Sequence, residues 1–204
     1  MQRPIGKRVR RTRPLIAVIG DAGVRPGSKK YSLAMDVGRC LVDAGCRVLT
    51  GGLGGVMEAA CKGARASAGY TPGDTVGVLP GHDPREANPY VDVVVASGLD
   101  HLRNSVVAHA EAIVAIGGGA GTLSEICFAW IHKRLIVALR VPGWSGKLAG
   151  LRVDERVRYP RLPDDRIYGA DAASEAVRLV MRHLAAYGAH HHGIRRRKTA
   201  SLRN

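Results

Sequence analysis

Two glycine-rich segments contain the residues best suited to bind an anion in this chain. Residues 50–57 are Thr-Gly-Gly-Leu-Gly-Gly-Val-Met, and residues 117–122 are Gly-Gly-Gly-Ala-Gly-Thr. Glycine permits positive φ angles and lets a phosphate approach the backbone with no Cβ in the way. Each segment lies between an apolar run and a helical pattern, where the unpaired amides of a helix N-terminus bind anions. The pair predicts a phosphate site, with purely structural turns as the alternative.

Neither segment has the signature of ATP hydrolysis or of NAD redox chemistry. No Gly-Lys-Ser or Gly-Lys-Thr follows them, and neither forms the dinucleotide fingerprint after the first apolar run. ATP hydrolysis and NAD redox chemistry are therefore disfavoured.

Glu125 lies one helical turn beyond the second glycine segment and has two interpretations. Thr122-Leu123-Ser124-Glu125 matches a Thr-x-x-Glu capping box, which is a structural role at a helix start. Alternatively, the carboxylate faces the sugar of a ligand, where it orients water or stabilises positive charge. Arg103 and Asn104 precede the same segment and offer a guanidinium and an amide to a phosphate, or else form a solvated helix face.

The elements that position these residues alternate along the chain. Short β-branched runs followed by helical patterns predict repeated βαβ units, hence an α/β fold with a doubly wound, mainly parallel, Rossmann-like sheet in three αβα layers. The predicted strands are 15–19, 47–50, 75–79, 91–96, 112–116 and 135–139. The predicted helices are 31–44, 54–68, 99–110, 122–132 and 172–186. Residues 141–169 are predicted to form a functional loop in which Trp144 is a candidate for stacking on a ring.

The charge of the chain is concentrated at its ends. The net charge is +14 over 204 residues, but residues 1–14 and 188–204 hold eleven of the 31 basic residues and no acidic one. The segment 15–187 is nearly neutral and is predicted to be one domain between two basic tails. The tails either bind nucleic acid or are merely solubilising, and His190, His191 and His192 receive no metal role.

Apolar runs are short, and the cysteines form no pattern. No stretch reaches the length of a membrane span, and no secretory signal is recognisable, which predicts a cytoplasmic protein without membrane attachment. Cys40, Cys46, Cys61 and Cys127 lack metal-binding spacing and are predicted to be buried free thiols.

Residues 50–59 and 117–126, with Arg103-Asn104 between them, resemble the Lonely-guy (LOG) superfamily, also called SLOG and often mislabelled as lysine decarboxylases. The Gly-Gly-Gly-x-Gly-Thr-Leu-Ser-Glu form is similar to a Rossmann-like nucleotide-binding branch that includes molybdenum cofactor carriers. The likeness runs from about residue 15 to residue 187. Three positions depart from the enzymes of the superfamily: Gly117 replaces a proline, Asn104 a lysine, and Ser124 a glutamate.

The resemblance implies a phosphoribohydrolase that splits a nucleoside 5′-monophosphate into a base and ribose 5-phosphate. It implies Glu125 and Arg103 as catalytic residues, and it argues against lysine decarboxylation. It also implies a homodimer or a higher homo-oligomer. The complete set of ligand-binding candidates is Gly20, Gly51, Gly52, Gly54, Gly55, Met57, Asn104, Gly118, Gly119, Gly121 and Thr122.

Three functional hypotheses follow. The first is a nucleotide-binding protein with N-glycosidic hydrolase activity. The second is a non-enzymatic carrier that grips the phosphate of molybdopterin, with Trp144 or Lys147 beside the ring. The third is nucleic-acid binding through the tails. No cofactor is required in any of them, and an AMP-like nucleotide or molybdopterin is the expected bound molecule.

Overall fold

The computed structural model of the protein describes residues 13–188. The predicted tails, and the nucleic-acid binding assigned to them, lie almost wholly outside these residues. Arg13 is an exception, because it contacts the folded body. Its Nη1 donates to Asp74 Oδ1 at 2.5 Å and its Nη2 to the carbonyl of Cys46 at 2.9 Å.

The described residues form a parallel seven-stranded sheet with helices on both faces. The sheet order is β4-β3-β2-β1-β5-β6-β7, which confirms the predicted doubly wound α/β fold. The strands are β1 (Leu15–Gly20), β2 (Arg47–Thr50), β3 (Thr75–Leu79), β4 (Val93–Ala96), β5 (Ala112–Ile116), β6 (Leu135–Leu139) and β7 (Tyr168–Ala170). The helices are α1 (Lys29–Asp43), α2 (Val56–Arg65), α3 (Arg103–Val107), α4 (Ala120–Ile131), α5 (Trp144–Leu148) and α6 (Ala173–Gly188).

The core is divided by the sheet into two layers. Helices α1, α2 and α6 pack on one face, while α3 and α4 pack on the other. Strands β5 and β6 are wholly apolar and wholly buried because helices cover both of their faces. The order of the strands reverses between β1 and β5, and doubly wound sheets bind ligands at the carboxyl ends of the strands at such a point.

Several predicted elements differ from those observed. The predicted helix 99–110 is a 3-10 turn at Asp100–Leu102 followed by the short α3, and Asp100 there has a φ of +47°. The predicted loop 141–169 contains α5 and β7, which are too short to leave a periodic signal. The four cysteines are free, as predicted, but the prediction of burial is correct only for Cys46 and Cys61, because Cys40 and Cys127 are half-buried. No helix between Arg13 and Gly188 combines the length and apolar character needed to cross a bilayer.

Candidate functional site

A cleft of about 310 Å³ opens at the carboxyl ends of β1, β2 and β5, where the sheet order reverses. Both glycine segments reach it, together with residues from α3 and α4. Its lining contains nine of the predicted site residues: Gly20, Gly51, Met57, Arg103, Asn104, Gly119, Gly121, Thr122 and Glu125. The remaining four, Gly52, Gly54, Gly55 and Gly118, lie outside the lining and shape the turns.

The second glycine segment forms an open helix start at the cleft. Helix α4 begins at Ala120 with Gly119 as its N-cap, and no side chain caps it. Its first amides therefore have no partner within the helix. A Cβ added at Gly119 or Gly121 would meet nothing within 4 Å, so the backbone is accessible from the cleft. This arrangement provides the amides and the dipole end that an anion needs.

The capping-box prediction for Glu125 was wrong. The helix begins two residues before the predicted Thr122, so Thr122 is its third residue and Glu125 lies in its second turn. A carboxylate that deep in the helix cannot reach back to the N-cap amide. Instead, Glu125 is buried and lines the cleft, so it is available to a ligand.

The start of helix α5 holds the second glycine segment on the side away from the cleft. The hydroxyl of Ser145 accepts a hydrogen bond from the amide of Gly117 at 2.7 Å and donates one to the carbonyl of Leu139 at 2.7 Å. The amides of Trp144 and Ser145 donate to the carbonyls of Gly118 and Gly117, each at 3.0 Å. These bonds leave the cleft side of the segment free.

The first glycine segment makes room for Arg103. A Cβ at Gly51 would lie 2.1 Å from Arg103 Nη1 and 2.7 Å from Met57 Sδ, so the guanidinium rests directly on the glycine backbone. Gly52 instead accepts hydrogen bonds from Asn88 through its carbonyl. Gly55 is the N-cap of α2 with a φ of +67°, and a Cβ there would lie 2.3 Å from the carbonyl oxygen of Asp21.

Arg103 and Glu125 face each other at the bottom of the cleft. Arg103 Nη1 lies 3.9 Å from Glu125 Oε1, and about a tenth of each side chain is exposed. Burial raises the pKa of Glu125 to about 7, although the nearby guanidinium acts in the opposite direction. Arg103 Nε and Nη1 are buried and have no hydrogen-bond partner among the described residues. An anionic ligand would supply the missing acceptors.

Asn104 joins the two helices that carry this pair. Its Nδ2 donates to Ser124 Oγ at 2.8 Å, and that hydroxyl donates to the carbonyl of Gly121 at 2.7 Å. Asn104 therefore has a structural bond in addition to its place in the cleft lining.

Sequence reasoning missed part of the cleft. The additional lining residues are Ile19, Asp21, Ala22, Leu53 and His101. Asp21 directly follows β1, and its position at a strand's carboxyl end was the signal that could have found it. Trp144 and Lys147, which were expected beside a ring, lie outside the lining, and Lys147 Nζ is 4.7 Å from the centroid of the Trp144 ring. Between residues 13 and 188 no cluster of three or more His, Cys, Asp or Glu could hold a metal.

Comparisons with known proteins agree with this fold. The chain is 30% identical over 152 residues to the cytokinin riboside 5′-monophosphate phosphoribohydrolase LOG of Oryza sativa subsp. japonica, an alignment that spans 68% of this chain and 60% of the rice protein. It is similar to the molybdenum cofactor binding protein of Rippkaea orientalis, with 26% identity, a TM-score of 0.69, and coverage of 84% of this chain and 98% of that one.

The molybdenum cofactor carrier protein of Chlamydomonas reinhardtii is similar at 28% identity and a TM-score of 0.67, covering 85% of this chain and 99% of that one. The model of the SLOG cluster4 family matches residues 13–161. These matches confirm the resemblance drawn from the glycine segments. The chain belongs to the SLOG cluster4 family.

Proposed function

We propose that this protein binds a nucleoside 5′-monophosphate in the cleft and hydrolyses its N-glycosidic bond. The observation that carries the proposal is the buried pair of Arg103 and Glu125, in which the guanidinium has two unsatisfied donors and the carboxyl has a pKa of about 7. Such a pair costs stability unless a ligand completes it, and perturbed groups of this kind gather at functional sites. The similarity to the rice phosphoribohydrolase supports the same reaction class.

The proposed binding mode places the phosphate at the start of α4. The amides at Gly119, Gly121 and Thr122 donate to the phosphate, and the helix dipole favours its charge. Arg103 donates to an anionic oxygen or to negative charge that develops on the departing base. This arrangement puts the sugar between the helix start and Glu125.

Hydrolysis then breaks the bond between the base and the anomeric carbon through an oxocarbenium-like state. The Glu125 carboxylate stabilises the positive charge and takes a proton from the attacking water, whose oxygen bonds to the anomeric carbon. The departing base receives the proton. The products are the free base and ribose 5-phosphate, so one water is consumed per turnover and no cofactor is needed.

The test is incubation of the purified full chain with purine and pyrimidine monophosphates, followed by chromatography of free base. Base release is expected from at least one monophosphate, and Glu125→Ala should remove it. Glu155→Gln, a change at an exposed carboxylate outside the cleft, is the matched control and should keep wild-type turnover. Absence of base from every monophosphate, with no difference between wild type and Glu125→Ala, would contradict the enzyme proposal.

The second candidate function is that of a molybdenum cofactor carrier. Two similar structures of such proteins favour it, because the alignments cover 98% and 99% of their chains. In that case the same helix start grips the molybdopterin phosphate. The ring would lie against the apolar side chains of Ile19, Leu53 and Met57, because Trp144 and Lys147 are not in the lining. Mass spectrometry of the protein expressed in a cofactor-competent host should then detect a pterin that co-purifies without turnover. A pterin-free protein would contradict this function.

A further inference from the structure

Asp21 lies between the two glycine segments and has no role in the proposal above. It follows the last residue of β1, and the sheet places β1 between β2 and β5. The first glycine segment follows β2, and the second follows β5. Because neighbouring strands are about 4.8 Å apart, Asp21 is roughly one strand spacing from each segment. That is the part of the cleft next to a phosphate bound at α4.

Asp21 is fixed through both its backbone and its side chain. Its carbonyl accepts a hydrogen bond from the amide of Val56 at 2.9 Å, which ties it to the start of α2. Its Oδ2 accepts one from Lys30 Nζ at 2.5 Å. The side chain is 27% exposed, and the residue lines the cleft. The carboxylate is therefore held in place while part of it faces the ligand space.

Gly117 is what allows this carboxylate to rest against the second glycine segment. A Cβ on Gly117 would lie 2.5 Å from Asp21 Oδ2 and 2.9 Å from Lys30 Nζ. The φ of +66° at Gly117 also excludes proline, whose ring fixes φ near −65°. Because Gly117 has no side chain, the ion pair of Asp21 and Lys30 occupies the space beside it at the edge of the anion site.

The chemistry of this position selects the kind of group it can bind. An ionised carboxylate beside a phosphate would repel it, but the Lys30 ammonium compensates for that charge. An ionised carboxylate accepts hydrogen bonds and donates none. Asp21 can therefore recognise only a donor close to the phosphate. In a nucleoside monophosphate the nearest donors are the ribose hydroxyls, and carboxylates at strand ends of doubly wound sheets bind such hydroxyls in dinucleotide enzymes.

We propose that Asp21, held by Lys30, accepts a hydrogen bond from the 2′- or 3′-hydroxyl of the ligand and makes the cleft selective for ribonucleotides over their dideoxy counterparts. This assignment rests on the proposed nucleotide binding. Asp21 is a specificity-determining residue, and Lys30 positions it.

The experiment compares dissociation constants for AMP and 2′,3′-dideoxyadenosine monophosphate by calorimetry. Every full-length variant carries Glu125→Gln, so that neither nucleotide is consumed. The parent should bind AMP at least about tenfold more tightly, which corresponds to one charge-assisted hydrogen bond of about 1.4 kcal/mol. Asp21→Ala should bring the ratio of the two constants close to one. The ratio of the two dissociation constants is compared within each variant, because removal of the Asp21 charge changes the affinity for both nucleotides equally.

Two further variants keep the test decisive. Lys30→Met should reduce the ratio several-fold by releasing the Asp21 carboxylate, which gives a second readout if Asp21→Ala does not fold. Asp36→Asn, which removes an exposed carboxylate on α1, should keep the ratio of the parent. Equal binding of the two nucleotides by the parent, or an unchanged ratio in Asp21→Ala, would overturn the role of Asp21 alone. Failure of the parent to bind either nucleotide would overturn the proposed function and this assignment together.

Discussion

Glu125 and Arg103 are an incomplete ion pair, and that incompleteness is the main functional signal of the molecule. Their nearest charged atoms are 3.9 Å apart, beyond hydrogen-bond distance, and two guanidinium nitrogens have no partner among residues 13–188. A buried pair selected for stability alone would show close hydrogen bonds, because desolvation of both charges must be offset. By contrast, Arg158 and Asp165, which do not line the cleft, form such a pair at 2.6 Å.

Because the pKa of Glu125 is raised, the free energy of unfolding should depend on pH in the wild type more than in Glu125→Gln. The folded-state pKa of about 7 lies above the ordinary glutamate value of 4.5, so the folded state holds the proton more tightly. Stability from this group is complete below pH 4.5 and is lost as the pH rises towards 7. At about 1.4 kcal/mol per unit, the wild type should lose on the order of 3 kcal/mol relative to Glu125→Gln over that range.

Urea unfolding of both proteins between pH 4.5 and 8 checks this expectation. Arg103 stays charged over the whole range, so the difference between the two curves isolates Glu125. Parallel stability curves for the wild type and Glu125→Gln would mean that the carboxyl titrates as it does in water.

Gly51→Ala should separate binding from folding. The new Cβ would overlap Arg103 Nη1 and crowd Met57 Sδ, which are the ends of flexible side chains, so the guanidinium moves while the backbone stays. We expect near wild-type stability and a loss of AMP affinity of at least about tenfold. Calorimetry and thermal melts measure the two effects. Gly69→Ala, whose Cβ would meet nothing closer than 3.6 Å, is the control, and equal affinity in both variants would argue against Arg103 as a ligand contact.

Helices α3 and α4 are joined by a bond at two of the positions where this chain departs from the LOG enzymes. Asn104 and Ser124 replace a lysine and a glutamate of those enzymes, and here the two side chains contact each other at 2.8 Å. In this chain the two replacements therefore connect the helix of Arg103 with the helix of Glu125. The third departure, Gly117, has a φ of +66° that a proline could not adopt. The three departures alter residues that surround the site, whereas the charged pair of Arg103 and Glu125 is present.

Helix α5 supports the second glycine segment through the hydroxyl of Ser145. Ser145→Ala leaves the amide of Gly117 and the carbonyl of Leu139 without this partner in a fully buried position. An unsatisfied buried group costs about 1–3 kcal/mol, so we expect a destabilisation of about 2 kcal/mol in urea unfolding and weaker AMP binding. The exposed Ser174→Ala is the control. A wild-type melt for Ser145→Ala would show that the turn needs no such support.

The regular elements were predictable because their patterns are long. Strands β5 and β6 agree with the predicted bounds, since each is a continuous apolar run ended by glycine or charge. Strand β7 has three residues, one of them glycine, and its pairing with β6 is imposed by tertiary contacts that no local pattern encodes. The start of α4 was misplaced because Gly121, a weak helix former, is the second residue of the helix and hides its true beginning at Ala120.

The sequence predicted the parts of the site that contain glycine-rich motifs. It did not predict the residues that only the three-dimensional fold brings to the cleft. Arg103 was inferred from its chemistry, and the structure places it against Gly51, which is 52 positions away in sequence. Asp21 carries no motif beyond its place after β1, and the sheet order is needed to show that it lies between the two glycine segments. His101 enters the cleft through a 3-10 turn whose first residue has a positive φ, a conformation that the predicted continuous helix excluded.

Exposed valines lie at the β3–β4 edge of the sheet: Val93 and Val95 of β4 and Val106 of α3 are each 44–45% exposed, beside the half-buried Val76 and the buried Val78 of β3. We call this surface the β3–β4 face. Val76 pairs with Val93 and Val78 with Val95, so these side chains point to the same side of the sheet. Helix α3 packs against β3, but with five residues it leaves Val93 and Val95 of β4 exposed. Contiguous exposed apolar surface of this kind marks an interface. We therefore expect a second copy of the chain to cover it, as the family resemblance implies.

Val95→Glu should convert the protein into a monomer that still folds. Val95 is 44% exposed, so a carboxylate there remains hydrated in the monomer, whereas an interface would desolvate it without a partner. Light scattering over a concentration series should show at least a hundredfold weaker association than in the wild type. Met181→Glu, at a 43% exposed position on α6 across the sheet, should associate normally. Because α3 carries both Arg103 and Val106, AMP binding by the monomer should also weaken. A monomeric wild type, or equal dissociation of both variants, would contradict the β3–β4 face as the interface.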